Sequence, residues 1–133
     1  MMDIKSNDAT PQRPEGERVL NAPLVEMDLN AFIVQLKNES TWEESDRNSM
    51  TIFKSDTMRL VLIAMHENAE LKPHKADGVI SVQVLEGKIE FNADSHSSHL
   101  EKGQMIALQA KITHSVKALT ESCFLLTMTM NPQ

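Results

Sequence analysis

The chain has 133 residues, of which 41% are apolar, and a formal net charge of −6 from 13 basic and 19 acidic side chains. This length is enough for one domain with a hydrophobic core, whereas the acidic balance and the lack of a Lys/Arg cluster argue against a nucleic-acid partner. No stretch approaches the roughly 20 apolar residues that cross a bilayer, so we expect no membrane partner. A single cysteine, Cys123, excludes an intrachain disulfide and, together with a polar N-terminus, favours the cytoplasm.

The first third of the chain is predicted to hold an arm, an extended lead-in and one helix. Residues 1–18 are polar and aperiodic, which predicts a mobile arm. A short strand or extended segment is predicted over 19–27. Asp28 then suits the N-cap of a helix over 29–38, in which apolar residues recur at helical spacing and form a stripe that packs on the domain. The acid-rich segment 38–46 is predicted to be a solvated loop whose single tryptophan packs against the rest of the domain.

The rest of the chain shows the pattern of short strands. Residues 58–65 are apolar at nearly every position, which predicts that one face of this strand meets the barrel interior and the other meets a helix or a second subunit. Residues 78–85 alternate instead, with Ile80 on the apolar face. Further strands are predicted over 50–54, 88–92, 99–100, 105–109, 114–119 and 123–130. Strands this short favour an antiparallel sandwich or barrel, which we place at 49–131 with 19–48 packed on it.

Two histidines and two glycines stand at spacings that resemble a known pattern. Gly87 follows His74 by thirteen residues, and His114 follows Gly103 by eleven. Glycine suits both turns because it adopts a positive φ without a steric penalty. The order and spacing resemble the two short motifs of the cupin family. The resemblance implies an all-β fold, an antiparallel double-stranded β-helix or jelly-roll barrel of the RmlC-like kind, to which the predicted N-terminal helix is added.

Two metal-ligand positions depart from the cupin motifs. The family's second histidine is replaced by Ala76 and its glutamate by Ile80, so two of the four metal ligands are kept. In the family these four side chains point into the barrel and hold iron, manganese, nickel, zinc or copper. The resemblance therefore implies a weakly held divalent metal (Fe, Mn, Ni or Zn) at the two remaining histidines, for which Asp77 or Glu67 would supply a third ligand.

The candidate ligand site consists of His74 and His114, with Lys75 and Met105 beside them. Imidazole binds metals or hydrogen-bonds to an anionic ligand, and a lysine at a pocket mouth attracts carboxylates. Methionine lines apolar space of adaptable shape. These residues predict a cupin-barrel protein that binds a small polar or acidic molecule, or a weakly held metal, and they identify no catalytic residue.

Other functions stay open at this point. A metal-dependent cupin enzyme, of the dioxygenase or isomerase type and acting on a small acid, is the main alternative. A metal-free epimerase would use a histidine as a base and would need a carboxylate partner to orient the ring. A structural dimer would have no site at all. The resemblance implies a homodimer in any case, because small jelly-roll barrels of this family commonly pair through a sheet.

Overall fold

Strands dominate the part of the chain that the computed structural model describes, residues 5–6 and 18–130. The helices of this part are α1 (Leu29–Asn38) and α2 (Ser40–Glu44), and neither is long and apolar enough to cross a membrane. Its strands, in chain order, are β1 (Lys5–Ser6), β2 (Val19–Asn21), β3 (Arg47–Lys54), β4 (Met58–Met65), β5 (Glu70–His74), β6 (Ile80–Glu86), β7 (Lys88–Ala93), β8 (His96–Glu101), β9 (Met105–Leu108), β10 (His114–Ala118) and β11 (Ser122–Thr129).

The longer strands form two antiparallel sheets that face each other. One sheet has the order β3-β4-β11-β6-β9, and the other has the order β5-β10-β7-β8. Side chains from both sheets meet in one interior cluster, which includes Val82 and Phe124 from the first sheet and Phe91 and Val116 from the second. From β4 to β11 the chain passes to the opposite sheet at nearly every connection. The architecture is the predicted antiparallel jelly-roll barrel, and the fold-class prediction is confirmed.

Alternation along the strands decides which side chains enter the barrel. In β6, Ile80 and its alternate neighbours are buried in the interior cluster, as predicted. In β4, Ile63 and Met65 face this interior, whereas Leu62 and Ala64 face a second cluster that contains the apolar side of α1. Both faces of β4 are therefore covered, which confirms that prediction, and the second cover is a helix.

Helix α1 begins and ends at the predicted residues. Asp28 is its N-cap, and the side-chain oxygen of Asp28 accepts a hydrogen bond from the backbone nitrogen of Ala31 at 3.2 Å. Ile33 and Leu36 are buried one turn apart and pack on the outer side of the five-stranded sheet. The cap and the apolar stripe together fix the start of this helix and the face that it buries.

The acid-rich segment after α1 is a helix, so the predicted loop was wrong. Trp42 lies in α2 with 8% of its surface exposed, which confirms that this side chain packs against the domain. The Trp42 ring stacks on His66 with centroids 3.5 Å apart, and the Trp42 carbonyl oxygen lies 2.7 Å from Nε2 of His66. Burial of one large ring is worth about 2–3 kcal/mol. The charge pattern of segment 38–46 does not reveal that burial of the Trp42 ring decides whether the segment is a loop or a helix.

Other predicted boundaries differ from the structure because exposed strands carry little apolar signal. Strand β2 has three residues rather than the predicted 19–27. Strand β5 was not predicted, since four of its five residues are exposed. Strand β8 begins at His96, three residues before the strand predicted over 99–100. The predicted mobile arm at 1–18 lies outside the described residues except for β1 and Arg18.

A buried group of hydrogen bonds joins α1 to β3. Nδ2 of Asn48 donates to the carbonyl oxygen of Leu36 and to Oε1 of Glu39, each at 2.9 Å. Oδ1 of Asn48 accepts from the backbone nitrogen of Ser49 at 3.0 Å. Asn48 and Glu39 are both buried, and Oε2 of Glu39 also accepts from Nε2 of Gln35 at 3.0 Å. The side-chain amide of Asn48 thus satisfies a buried carbonyl group and a buried carboxylate.

We expect Asn48→Ala to lower the free energy of unfolding by about 2–3 kcal/mol, because a buried carboxylate and a buried carbonyl both lose a donor. Gln35→Ala is the matched control, since it removes one part-buried hydrogen bond to the same carboxylate and should cost about 1 kcal/mol. Urea unfolding followed by circular dichroism measures both values. Equal losses in the two variants would contradict the central role of Asn48.

Candidate functional site

Two imidazole rings meet at one end of the barrel. His74 is the last residue of β5, and His114 is the first residue of β10. These strands pair antiparallel with His74 opposite His114, so both side chains leave the sheet at the same level. The ring centroids are 4.3 Å apart, with an angle of 59° between the ring planes. The structure therefore brings together the two histidines that the motif spacing singled out.

The two rings are held in the same way by the backbone. Nδ1 of His74 lies 2.8 Å from the carbonyl oxygen of Lys72, and Nδ1 of His114 lies 2.9 Å from that of Ile112. A carbonyl oxygen only accepts, so each Nδ1 carries the hydrogen. In the neutral ring Nε2 then bears the lone pair. Within residues 18–130 neither Nε2 atom has a hydrogen-bond partner, which leaves two electron pairs available to a ligand.

The two histidines differ in their exposure to water. His114 is 5% exposed, and its ring stacks on Phe91 with centroids 5.6 Å apart, whereas His74 is exposed. Burial lowers the pKa of His114, and the neighbouring His74 lowers it further, against the opposing effect of the Ile112 carbonyl. His114 is therefore a neutral electron-pair donor at neutral pH.

The rings open onto a cavity of about 410 Å³. Ile80, Leu126 and Met128 line it and also pack against the interior cluster, so they form an apolar floor. Lys75 and Asp77 line the same cavity from the exposed loop that follows β5, so they stand at its rim. Two predicted site residues, Lys75 and Asp77, are thus near the histidine pair.

Two other predicted site residues lie elsewhere. Met105 is 54% exposed at the start of the edge strand β9, beside Gln83, and it does not line the cavity. Glu67 precedes β5 at the opposite end from His74, where the backbone nitrogen of Asn68 donates to the carbonyl oxygen of Ala118 at 2.8 Å. Because β5 rises about 3.3 Å per residue, Glu67 is too far from the rings to supply a third ligand.

The donor set does not fit a tightly held divalent metal. Across residues 18–130, no three His, Cys, Asp or Glu side chains gather around a point that would hold an ion, so Asp77 does not complete a site with the histidines. Ile80 occupies the position of the motif's glutamate, is 3% exposed and brings only a hydrocarbon surface to the cavity. A stable metal centre of that kind needs at least three protein ligands.

Several lining residues were missed by the sequence reasoning. Asp56, Met128 and Met130 also line the cavity. Period-two alternation over 123–130 places Leu126, Met128 and Met130 on one face. The sequence carried this signal, although the choice of the interior face depends on how β11 pairs with its neighbours.

Comparison with known proteins identifies the fold. No protein-family model and no curated protein matches the sequence. Among solved structures, an RmlC-like cupin from Shewanella frigidimarina is 17% identical with a TM-score of 0.62, over 66% of this chain and 79% of that one. The Cnp3 cupin domain of Schizosaccharomyces pombe is 16% identical with a TM-score of 0.63, over 97% and 88%. Salicylate 1,2-dioxygenase from Pseudoaminobacter salicylatoxidans, solved as adducts with gentisate, is 15% identical with a TM-score of 0.71, over 82% of this chain and 34% of the enzyme.

These likenesses, together with the two facing sheets and the histidine pair at one end, define a protein of the cupin fold. The predicted resemblance to RmlC-like cupins is confirmed at the level of the fold. Sequence identities of 15–17% support the architecture of the barrel. The chemistry of the site has to be argued from the residues that line the cavity.

Proposed function

We propose that the protein is a binding module whose ligand is held through the Nε2 atoms of His74 and His114. The observation that carries this proposal is the pair of short Nδ1 hydrogen bonds to backbone carbonyls, which leaves two electron pairs at one cavity. The ligand must then offer an electron-pair acceptor. That acceptor is the O–H group of a small polar or acidic molecule, or a weakly held metal ion.

The cavity supports binding of a small ligand. Its volume of about 410 Å³ lies within the range usual for small-molecule sites. Ile80 and Leu126 offer apolar contact to the body of a ligand, and the ammonium group of Lys75 attracts an acidic group at the rim. This combination of a few polar groups above an apolar floor fixes the orientation of the ligand.

The same residues favour binding over metal-dependent catalysis. A catalytic centre with two protein ligands would lose its metal readily, and Ile80 supplies no charge to offset a divalent cation. The likeness to a dioxygenase concerns the fold, and the chain spans 34% of that enzyme. We therefore favour a binding module over a metal-dependent enzyme.

Imidazole nitrogen NMR tests the proposal directly. Protein treated with EDTA is titrated in one arm with Zn²⁺ after EDTA removal, and in the other arm with small hydroxy acids while EDTA is kept. We expect one arm to shift the Nε2 resonances of His74 and His114 together. His74→Ala and His114→Ala should weaken binding about tenfold or more. Lys75→Ala should weaken only the acid arm.

His96 is the matched control, because it is an exposed histidine on β8 that does not line the cavity. His96→Ala should leave binding unchanged. Equal shifts at His96 in the parent protein would indicate non-specific binding and contradict the proposal. The proposal also fails if neither a metal ion nor a hydroxy acid shifts the two cavity rings.

A further inference from the structure

Two thioethers share the cavity with the two imidazoles. Leu126, Met128 and Met130 follow each other at a spacing of two, and all three line the cavity. Thr129, between the two methionines, uses its hydroxyl to donate to the carbonyl oxygen of Val79 at 2.9 Å. Met128 packs against the interior cluster, so its side chain extends into the barrel. Both methionines are partly buried.

These four side chains line one cavity, and their donor atoms have a definite preference among metal ions. Thioether sulfur is a soft ligand that selects Cu(I), and imidazole nitrogen also suits copper. Carboxylate oxygen, which hard divalent ions prefer, is replaced on the cavity floor by Ile80. We propose that the ligand of this cavity is a cuprous ion, bound by Nε2 of His74 and His114 and by the sulfur atoms of Met128 and Met130. This inference rests on the proposed function, because it names the electron-pair acceptor.

The separation of the rings agrees with one shared ion. An ion about 2 Å from each imidazole nitrogen, with an angle of about 90–110° between the two bonds, would hold the ring centroids about 4.5–5.2 Å apart. The observed centroid distance is 4.3 Å, a few tenths of an ångström below this range. The imidazoles need little rearrangement to reach a four-coordinate ion, since the Nδ1 hydrogen bonds already fix each ring.

The charges around the cavity also suit a monovalent cation. Asp56 and Asp77 line it with two formal negative charges, and Lys75 brings one positive charge. The formal sum of these three side chains is −1, which Cu(I) balances and which a divalent ion would exceed. An apolar floor adds to this preference, because desolvation costs grow steeply with the charge of the ion.

Competition for Cu(I) against a chromogenic chelator, bicinchoninate, under anaerobic and reducing conditions tests the inference. We expect one Cu(I) per chain in the parent protein and none in His74→Ala. The double variant Met128→Leu with Met130→Leu keeps side-chain volume, which preserves the fold, and should bind Cu(I) about tenfold or more weakly. Zn²⁺ binding by the histidines should not change in this variant. Copper K-edge absorption should show sulfur neighbours only while the two methionines are present.

Two controls separate the site from adventitious copper. Met105→Leu removes an exposed thioether outside the cavity, and Cys123→Ala removes a buried thiol, which soft metals also bind. Both should retain full Cu(I) affinity. Loss of copper in Cys123→Ala, or equal affinity in the double methionine variant, would overturn the inference while the proposed function stands. If copper, zinc and hydroxy acids all fail to reach the two cavity rings, the proposed function fails as well.

Discussion

Gly87→Ala is expected to lower the free energy of unfolding by about 3–5 kcal/mol. Gly87 joins β6 to β7 with a φ of +80°, a conformation in which a side chain is strained. A Cβ atom at this position would also lie well inside contact distance of the carbonyl oxygen of Glu121 and of Oγ of Ser122. The second of these cannot move aside easily, because Ser122 is fully buried and its hydroxyl hydrogen-bonds to the backbone of Lys88 at 3.0 Å.

Gly103→Ala separates the two causes. Gly103 has a nearly equal φ of +86°, yet no atom of the described residues lies within 4 Å of a Cβ built there. This variant should lose about 1 kcal/mol from backbone strain alone. Chemical denaturation of both variants gives the difference, which isolates the steric contact at the first turn. Similar losses in the two variants would show that positive φ, and not close packing, accounts for the whole effect.

The parts of the fold that the sequence predicted correctly depend on neighbouring residues. The N-cap at Asp28 and the helical stripe after it mark α1, and alternation at Ile80 marks β6. The doubly apolar residues 58–65 showed that β4 is covered on both sides. Each of these signals is read within one element, so it requires no knowledge of which elements meet.

The candidate site depended on contacts between distant strands, and sequence reasoning captured it only in part. His74 and His114 could be paired because their spacing to Gly87 and Gly103 resembles the two cupin motifs, which implies that both histidines point into one barrel. Met105 was predicted to line the apolar space of the site and Glu67 to supply a third ligand. The strand register instead places Met105 at an exposed edge and Glu67 at the far end of β5. Register is set by cross-strand pairing, which a single sequence does not show.

The missed methionines illustrate the same point. Met128 and Met130 share a face with Leu126 in any strand over 123–130. That this face lines the cavity follows from the pairing of β11 between β4 and β6, in which Met128 stands opposite Ile80. The apolar replacement at Ile80 and the thioether at Met128 are therefore neighbours. The cavity thus has the thioether of Met128 beside Ile80, the position at which the cupin motif has its carboxylate.

Restoring the motif's carboxylate by Ile80→Glu should first destabilise the protein and then make it respond to divalent metal. A carboxylate buried on the apolar floor gives up its hydration, and the Lys75 ammonium group stands at the exposed rim, so we expect a loss of about 3–5 kcal/mol at neutral pH. The new oxygen ligand would join His74 and His114 in a set of three, which is enough to hold Zn²⁺ or Mn²⁺. At a metal concentration 100-fold above the dissociation constant, binding should restore about 2.7 kcal/mol.

Ile80→Gln is the matched control, because it buries a polar group of nearly the same shape that carries no charge. Thermal unfolding with and without Zn²⁺ should show a metal-dependent rise in the midpoint for Ile80→Glu alone, and His74→Ala in that background should abolish the rise. Equal stabilisation of Ile80→Gln, or no stabilisation of Ile80→Glu, would contradict the placement of this side chain on the floor of the histidine cavity. The parent protein and Ile80→Glu are expected to bind different metal ions because they differ at this one position. With isoleucine there, the two imidazoles have only thioether sulfur beside them, which suits a soft ion. With a carboxylate there, the same two imidazoles form a site for hard divalent ions.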